Sequence, residues 1–418
     1  MSRLLVIGCV WPEPHSSAAG SRMLQLLEFF LSKNYKITFV TTAARSEFAV
    51  DLEKMNIPSE VIKMNHPSFD AMLKRIQPDL VLFDRFMTEE QFGWRVDETY
   101  PEAVKILDTE DLHFLRKTRT EAFKKNISAE SLYFDADITK REIASIYRCD
   151  LSLIISEVEK QFLQDEFSIH TNLLHYLPFL PEPVSGEKQL KLPKFEQREN
   201  FISIGNFLHE PNWNAVLYLK EEIWPLIKQE LPEAKLEIYG AYPSQKVWNL
   251  HNEKEGFIVK GRVENAEKVM KNARICLAPI RFGAGLKGKL IQAMQCGTPS
   301  VTTIIGAEGI AGDLNWNGFI SNDAKDFAKK AVQLYSEEKL WEKSVGSGFE
   351  IIASRFDKEE HRQEFSNRLS DLIQNINVYR QRNFIGKMLQ HHQHRSTYFM
   401  AKFIEEKEKS KLNKTIKQ

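Results

Sequence analysis

Short apolar runs of four to six residues alternate with stretches of helical periodicity in the first part of the chain. The runs occupy residues 4–9, 37–41, 80–83, 104–107 and 151–155. Each run has the length of a buried strand, and each stretch between two runs leaves room for a helix. Strands that alternate with helices in this way favour a parallel, doubly wound sheet.

The pattern breaks near residue 180 and then resumes. The interval 180–194 contains three prolines and several charged residues without a sustained period, which is typical of a linker. Beyond it, apolar runs alternate again with helical stretches at 201–204, 236–239, 257–259, 275–278 and 300–303. The predicted organisation is an α/β domain over residues 1–178, a linker over 179–198, and a second α/β domain over 199–357.

From residue 358 to 418 the pattern is helical, and this region is predicted to form crossing helices and a basic tail. An apolar stripe is formed by Phe384, Ile385, Met388 and Leu389. The basic side chains near it are Arg380, Arg382, Lys387, His391, His392, His394 and Arg395. One interpretation is a helix packed across the two domains, and the other is a helix that binds a membrane surface or a partner. Residues 405–418 have the composition of a solvated end.

The composition excludes several classes of protein. Hydrophobic residues make up 42% and charged residues 27% of the 418 residues, which is typical of a folded chain rather than a disordered one. Lys and Arg number 57, as do Asp and Glu, so no overall positive field attracts nucleic acid. No window approaches the ~20 apolar residues that cross a bilayer, which excludes a layout anchored by a transmembrane helix.

The cysteines and the apolar start of the chain both indicate a cytoplasmic protein. Cys9, Cys149, Cys276 and Cys296 are widely spaced, and we expect reduced core thiols, with Cys9 and Cys276 in buried strands. The apolar run at the N-terminus meets a proline at once and lacks a cleavage pattern, so we interpret it as a first strand rather than a signal peptide.

The richest candidate for ligand binding follows the fourth run of the second domain, where a glycine loop leads into a helix. Gly283 and Gly285 let the backbone approach a ligand, and the free N–H groups at the helix start favour an anion. Lys289 and Gln292 share a helix face, and Lys287 lies in the first turn, which would suit a diphosphate. The alternative is that the glycines serve only the turn and the lysines are solvated.

Loops of the first domain are expected to complete a cleft. The first strand is followed by a turn of small residues that contains Gly20 and Ser21, and a helix begins there. Polar residues follow the third run, at Asp84 and Arg85. Ligands of open α/β sheets bind outside the carboxyl ends of the strands, so these residues are candidates for one wall of an interdomain cleft.

The fourth run of the first domain is also followed by polar residues, including Asp111 and His113. By the same reasoning they should open into the cleft. The alternative is structural: Asp84 would pair with Arg85, Asp111 with Arg116, and His113 would cap a packed turn.

Several short motifs, in this order and at this spacing, resemble the retaining glycosyltransferases of family 4, known as group 1 transferases. The motifs are Ile204-Gly205-Asn206, Pro211-Asn212, Tyr239-Gly240, Gly261-Arg262-Val263, Arg281-Phe282-Gly283-Ala284-Gly285 and Gly306-Ala307-Glu308-Gly309. The resemblance covers most of the second domain. It implies the GT-B architecture, in which two doubly wound Rossmann-like domains face a central cleft and a helical tail follows.

The resemblance also implies roles for individual residues. The implied donor-binding residues are Gly205, Asn206, Arg262 near the nucleobase, Gly283, Gly285, Gln292 and Glu308. Lys287 or Lys289 would hold the diphosphate and, with His113 near the reacting sugar, would form the catalytic set. In the family pattern two glutamates stand eight positions apart, where this chain has Ala284 and Gln292. An amide at position 292 would bind a ribose hydroxyl without charge assistance.

The resemblance implies front-face attack, in which the leaving diphosphate helps to deprotonate the acceptor. Asp135-Ala136-Asp137 matches a short acidic motif that binds manganese in another glycosyltransferase fold, but its context here is a helical stretch. We therefore expect no metal and no tightly bound cofactor, with a nucleotide sugar as co-substrate.

The leading hypothesis is a cytoplasmic enzyme that transfers a sugar from a UDP- or GDP-linked donor, for example in polysaccharide biosynthesis. The acceptor would be a glycan, a lipid-linked glycan or a protein, and the basic tail would place the enzyme on the inner face of a membrane. The main rival is a GT-B scaffold that binds nucleotide and is weakly active or inactive. An epimerase or phosphorylase lacks its expected pattern, and a dinucleotide oxidoreductase lacks the Gly-x-Gly-x-x-Gly fingerprint.

Overall fold

The computed structural model describes residues 2–416, except for the side chains of residues 393–397 and 408–416. Its strands form one sheet of seven and one of six. They are β1 (Arg3–Gly8), β2 (Lys36–Thr41), β3 (Ser59–Val61), β4 (Leu80–Asp84), β5 (Val104–Asp108), β6 (Leu151–Ile154), β7 (Leu174–Tyr176), β8 (Glu199–Ile204), β9 (Leu236–Tyr239), β10 (Phe257–Gly261), β11 (Ala273–Ala278), β12 (Ser300–Thr302) and β13 (Gly318–Ile320).

Helices connect these strands and continue to the end of the described chain. They are α1 (Ala18–Ser32), α2 (Ser68–Ile76), α3 (Phe86–Thr99), α4 (His113–Lys125), α5 (Glu130–Tyr133), α6 (Asp137–Arg148), α7 (Glu157–Phe167), α8 (Gly186–Leu190), α9 (Glu210–Tyr218), α10 (Trp224–Glu230), α11 (Gln245–Trp248), α12 (Ala266–Asn272), α13 (Gly288–Gln295), α14 (Ile304–Ala307), α15 (Ala324–Ser336), α16 (Glu338–Arg355), α17 (Lys358–Gln374), α18 (Ile376–Arg382) and α19 (Phe384–Ile416). Short 3-10 helices lie at Leu52–Met55, Thr171–Leu173 and Phe195–Gln197, and a π-helical turn at Leu219–Ile223.

Both sheets are parallel and doubly wound, as the alternation of apolar runs predicts. The strand order is β3-β2-β1-β4-β5-β6-β7 in the first sheet and β10-β9-β8-β11-β12-β13 in the second. The order reverses between β1 and β4 and between β8 and β11, which are neighbours paired in parallel. Ligands of such sheets bind at these reversals, outside the carboxyl ends of the strands.

The sequence pattern explains why the strands are buried on both faces. In β1, Leu4 and Val6 belong to one hydrophobic cluster while Leu5 and Ile7 belong to another, because successive side chains point to opposite faces. Helices therefore cover both sides of the sheet. Three strands that the apolar runs did not predict, β3, β7 and β13, have three residues each and lie at or next to a sheet edge, where a short run carries little periodicity.

The C-terminal helices return to the first sheet. Phe365, Leu369 and Leu372 of α17 belong to the same hydrophobic cluster as Leu4 and Val6, so α17 crosses back from the second domain. Helix α19 packs against α3 and α6, with the rings of Trp94 and Tyr398 centred 5.8 Å apart.

Part of the predicted solvated end is packed. Glu405 is buried and pairs with Arg95 at 2.6 Å, so the solvated end does not begin at residue 405. The side chains of His394 and Arg395, and those from residue 408 onward, lie outside the described residues. In the motif at Asp135 and Asp137, Asp135 lies in the break between α5 and α6, and Asp137 is the first residue of α6.

Among the described residues, no helix is both long and apolar enough to cross a membrane. All four cysteines are free thiols. Cys149, Cys276 and Cys296 are buried, whereas Cys9 is half-buried in the loop after β1 and not in the strand itself.

A buried ion pair joins three parts of the first domain. Arg22, on α1, donates from Nε and Nη2 to Asp108 Oδ1 at 2.9 and 2.8 Å. Its Nη1 donates to the carbonyl oxygen of Leu177 at 2.6 Å, where the chain leaves the first sheet. Both side chains are at most 1% exposed. The guanidinium thus fixes α1, the end of β5 and the exit of the chain relative to one another.

Arg22→Met is expected to lower the free energy of unfolding by about 3–5 kcal/mol, because it leaves the Asp108 carboxylate buried and unpaired. Urea denaturation followed by circular dichroism measures the change. Arg3→Met is the matched control, since Arg3 pairs with Asp79 in an exposed setting and should change the stability by less than about 1 kcal/mol. Equal stability of the two variants would contradict the structural role of Arg22.

Candidate functional site

A cavity of about 1130 Å³ lies between the carboxyl ends of the two sheets. Twelve of the residues that the sequence singled out line it: Ser21, Arg85, Asp111, His113, Gly205, Asn206, Arg262, Gly283, Gly285, Lys287, Lys289 and Gln292. The other three, Gly20, Asp84 and Glu308, lie outside its lining. The cavity therefore brings together the two groups of loops that the sequence placed on opposite walls.

The glycine loop between β11 and α13 needs both of its glycines. Gly283 has φ of 149° and Gly285 has φ of 64°, which are backbone conformations that side chains disfavour. The Gly285 N–H donates to Glu159 Oε1, on α7 of the first domain, at 2.6 Å. A Cβ at Gly285 would lie 2.7 Å from Asp111 Cβ. The loop therefore touches the first domain directly.

Two helix N-termini meet at the cavity. A Cβ at Gly288, the first residue of α13, would lie 3.1 Å from Ala18 Cβ, and Ala18 is the first residue of α1. Neither helix carries an acidic residue in its first turn. The positive ends of the two helix dipoles thus lie close together. Ser17 Oγ accepts the Gly20 N–H of α1, and the N–H groups that remain free at the two helix starts favour an anion.

The two lysines of the loop have different surroundings. Lys289 Nζ donates to Asn212 Oδ1 at 2.7 Å and lies beside Gly205, whose Cβ position is 2.7 Å away. Burial lowers the pKa of Lys289 to about 8. Lys287 Nζ instead donates to the carbonyl oxygen of its own loop at Gly285, at 2.8 Å. Lys289 is thus the lysine held against the first loop of the second sheet.

Glu308 takes part in a bridge between the domains. Arg119, on α4, donates to both carboxylate oxygens of Glu308 at 2.7 and 2.9 Å, and also to the Gly283 carbonyl oxygen at 2.9 Å. The sequence pointed to neither Arg119 nor Glu159, because both lie within helices and in no motif. The predicted donor-binding role of Glu308 would therefore act through the glycine loop rather than at the cavity wall.

Further contacts close the cavity on the side of β8 and β10. Asn206 Nδ2 donates to the Ser16 carbonyl oxygen across the cleft at 3.3 Å. The Arg262 guanidinium lies over the ring of Phe48 at 4.0 Å, which is a cation–π geometry. Tyr242 donates from its hydroxyl to Glu13 Oε2 at 2.8 Å. Arg262 therefore borders this end of the cavity, with its guanidinium stacked on the Phe48 ring.

The polar residues of the first domain form the ion pairs that the structural alternative predicted. Asp84 Oδ1 lies 3.5 Å from Arg85 Nε, and Asp111 accepts hydrogen bonds from Arg116 at 2.6 Å. Asp84 also accepts the Cys9 N–H at 2.9 Å, which fixes the loop after β1. Pairing and exposure to the cavity coexist here, because Arg85 and Asp111 line it as well.

His113 is the first residue of α4, and its ring faces the cavity. Its Nε2 lies 3.6 Å from Asp111 Oδ1, and burial lowers the pKa of His113 to about 3, although Asp111 acts in the opposite direction. The imidazole is therefore neutral at physiological pH. The backbone N–H groups of His113 and Phe114 donate to Glu142, which caps the helix start in place of a local residue.

Gly20 and Ser21 are engaged in the loop itself. A Cβ at Gly20 would lie 2.4 Å from the backbone of Glu13, so only glycine fits there. Ser21 Oγ donates to the Pro14 carbonyl oxygen at 3.0 Å. Both residues shape the start of α1. In the described part of the chain, no group of three His, Cys, Asp or Glu side chains could hold a metal ion.

Residues 198–337 match the family described as Glycosyl transferases group 1. An uncharacterised 44.6 kDa protein in the cps region of Klebsiella pneumoniae is 24% identical over 191 residues. This alignment covers 44% of the chain and 49% of that protein, so it spans about half the length of the curated relative.

Solved structures share the arrangement of both domains. Sucrose-phosphate synthase from Thermosynechococcus elongatus has a TM-score of 0.67 at 15% identity, over 89% of this chain and 99% of that one. HepE from Anabaena in complex with UDP has a TM-score of 0.63 at 15% identity, over 89% of this chain and 100% of that one. The pneumococcal O-GlcNAc transferase GtfA, in complex with UDP and GlcNAc, has a TM-score of 0.65 at 12% identity, over 89% of this chain and 99% of that one. These likenesses confirm the predicted GT-B fold.

If a nucleoside diphosphate such as UDP binds at Lys289, its affinity is expected to fall about tenfold between pH 7 and pH 9. Lys289 loses its proton around its lowered pKa, and a neutral amine attracts a diphosphate less. Isothermal titration calorimetry measures the change. Lys289→Arg keeps its charge over this range and should remove most of the pH dependence. A wild type with equal affinity at both pH values would contradict the placement of the diphosphate at Lys289.

Proposed function

This chain carries a glycosyl transferases group 1 domain over residues 198–337 within a GT-B fold, and from that premise we propose that it is a glycosyltransferase. It would transfer a sugar from a UDP- or GDP-linked donor to a hydroxyl acceptor with retention of configuration. The acceptor would be a glycan, a lipid-linked glycan or a protein, for example in polysaccharide biosynthesis.

The observation that carries this proposal is the meeting of the N-termini of α1 and α13 beside Lys289. Two dipole ends with free N–H groups, and the Lys289 ammonium in the same cavity, suit the diphosphate of a nucleotide sugar. When the bond between the sugar and the diphosphate breaks, negative charge grows on the phosphate oxygens. Groups already oriented toward that charge stabilise the transition state without having to reorganise.

Other residues of the cavity fit the remaining parts of a donor. Gly205 leaves room beside Lys289, and Gln292, one turn further along α13, offers an amide to a ribose hydroxyl. Arg262, which lines the cavity and is held against the Phe48 ring, offers its guanidinium plane to a nucleobase. Lys287 and Glu308 would hold the glycine loop in shape, since Lys287 binds a carbonyl oxygen of that loop and Glu308 is bridged to it by Arg119.

On the first-domain side, His113 is neutral and can exchange hydrogen bonds with a sugar hydroxyl. We infer front-face attack: the acceptor oxygen forms a bond to the anomeric carbon on the side from which the diphosphate leaves. The acceptor proton passes to a departing phosphate oxygen, so no protein base is needed. The protein contributes positioning and electrostatic stabilisation.

The first test is nucleotide binding. UDP or GDP should raise the melting temperature of the wild type in a thermal-shift panel that also contains ADP. Gly205→Ala should lower the affinity for that nucleotide about tenfold or more, because a methyl group there would lie 2.7 Å from Lys289 Nζ and 2.8 Å from Asn212 Cγ. Gly186→Ala is the matched control, since nothing lies within 4 Å of its Cβ position.

Turnover distinguishes the enzyme from its rival. Slow release of free sugar from the matching nucleotide sugar would support the transferase. Nucleotide binding without hydrolysis or transfer would instead favour a GT-B scaffold, which is motivated by Ala284 and Gln292 at the family's two acid positions. If no nucleotide binds, the donor site itself is misplaced.

The C-terminal tail supports a second proposal, that this protein lies on an anionic membrane surface. From residue 377 to the end the chain has ten Lys or Arg and three Glu, although its overall charge is zero. On α19, Ile385, Met388, Phe399 and Phe403 are exposed, and 64–66% of the two phenylalanine residues is accessible. Exposed apolar side chains among basic ones are typical of a helix at a lipid interface.

Flotation with vesicles that contain phosphatidylglycerol tests this. The double variant Phe399→Ser/Phe403→Ser and high salt should each lower the bound fraction, and vesicles of phosphatidylcholine alone should bind little. Leu208→Ser removes an equally exposed apolar side chain from the second domain and should bind like wild type. Unchanged binding of the double variant would rule out the tail as the membrane contact.

A further inference from the structure

Four carboxyl groups gather where β4 and β5 end, and three of them have an arginine partner. The paired groups are Asp84 with Arg85 at 3.5 Å, Asp108 with Arg22 at 2.8 Å, and Asp111 with Arg116 at 2.6 Å. The fourth is Glu110, between two of the paired acids. It lies in the polar segment that follows the fourth run of the first domain, and it belongs to no motif of the family resemblance.

Glu110 is buried and yet faces the cavity. Its residue is 7% exposed, it belongs to the cavity lining, and Oε1 has no hydrogen-bond partner among the described residues. A buried polar atom without a partner costs about 1–3 kcal/mol, and folded proteins rarely leave one unpaired. Because Glu110 belongs to the cavity lining, a ligand that enters the cavity can supply the missing partner once the carboxyl group turns toward it.

The backbone at Glu110 adopts a conformation that is unfavourable in free energy for a residue with a side chain. Glu110 has φ of 59°, and Arg85, at the end of the neighbouring strand, has φ of 71° with ψ of 158°. Conformations of this kind cost about 1–3 kcal/mol each and concentrate at functional sites. The Arg85 N–H donates to the Asp108 carbonyl oxygen at 2.7 Å, which ties the two strained loops together.

The charges around Glu110 select the chemistry of that partner. Burial raises the pKa of Glu110 to about 8, with Asp108 and Asp84 acting in the same direction and Arg85 and Arg22 against it. A neutral carboxyl group both donates and accepts hydrogen bonds, which matches a hydroxyl group. The neighbouring carboxylates would repel an anionic partner, and the arginines that could offset this repulsion are already paired with those carboxylates. A neutral partner is therefore favoured.

Glu110 lies next to the place where donor and acceptor would meet. Asp111, the following residue, touches the glycine loop, since its Cβ is 2.7 Å from the Cβ position of Gly285. The two helix N-termini and Lys289 occupy the donor side of the same cavity. A ligand group at Glu110 would therefore sit on the first-domain side of the transferred sugar.

We propose that Glu110 binds a hydroxyl group of the acceptor, and that the reacting end of the acceptor is a neutral polyhydroxyl compound, either a sugar or a polyol. This inference rests on the proposed transferase function and specifies the acceptor side of the same site. Glu110 positions the acceptor and takes no proton. The proton of the attacking hydroxyl still leaves on the diphosphate as the new C–O bond forms and the old one breaks.

Two variants separate this role from that of a base. Glu110→Met removes both hydrogen-bonding oxygens at similar volume, and should lower kcat/KM for the acceptor by about 10- to 100-fold. Glu110→Gln keeps a donor and an acceptor and should stay within about threefold of wild type. The KM for the donor and the rate of donor hydrolysis should be unchanged in both. Glu90→Gln, which alters an ion pair outside the cavity lining, is the control.

The assay uses the full chain, the nucleotide sugar that it hydrolyses, and glycerol, glucose, N-acetylglucosamine and glucuronate as probe acceptors. Transfer to a neutral probe but not to glucuronate is the expected result. Glu110→Met should also melt at or above the wild-type temperature, because it removes an unpaired buried group. This measurement shows that the variant folds and needs no turnover.

The possible failures are distinguishable. A wild type without nucleotide binding or hydrolysis overturns the proposed transferase, and this inference with it. If hydrolysis is normal, equal loss in Glu110→Gln and Glu110→Met shows that the carboxylate acts as a base. Full activity of Glu110→Met would show that Glu110 does not bind the acceptor. A raised KM for the donor would show that it contacts the donor instead. Transfer only to glucuronate would contradict the proposal of a neutral acceptor.

Discussion

The buried pair of Arg22 and Asp108 is the constraint on which the rest of the site depends. One guanidinium joins the first helix, the end of β5 and the carbonyl of Leu177, where the chain leaves the first sheet. A charged side chain is tolerated in so buried a position only when its partners are fixed around it. The pair therefore fixes the relative positions of three segments that are distant in sequence. The residues that follow Asp108 along the chain reach the cavity in a set orientation because of it.

The second domain is held against this frame at the glycine loop. Arg119 binds the Gly283 carbonyl oxygen and Glu308, while Glu159 accepts the Gly285 N–H. First-domain side chains thus determine the shape of the loop that would bind the diphosphate. The shape of the glycine loop therefore depends on how the two domains are held together, since the loop takes its contacts from both.

Cavity-facing residues of the first domain combine structural pairing with access to ligand. Asp111 holds Arg116 and contacts the glycine loop, and His113 starts a helix that Glu142 caps. The same side chains thus form ion pairs and line the cavity, as Asp111 shows. Glu110 differs from them in having no arginine of its own, and that difference becomes visible only when the neighbouring strands are placed side by side.

The sequence by itself determined the two doubly wound sheets, the central strands and the glycine loop, because apolar runs, glycines and lysines act over a few neighbouring residues. Only the tertiary structure decided that Lys289 rather than Lys287 lies beside Gly205, that Glu308 is bound by Arg119, and that Glu110 Oε1 has no hydrogen-bond partner among the described residues. These outcomes depend on contacts between residues far apart in the chain, including pairs across the two domains. Local periodicity carries no information about such contacts, since it reports only which face of an element is buried.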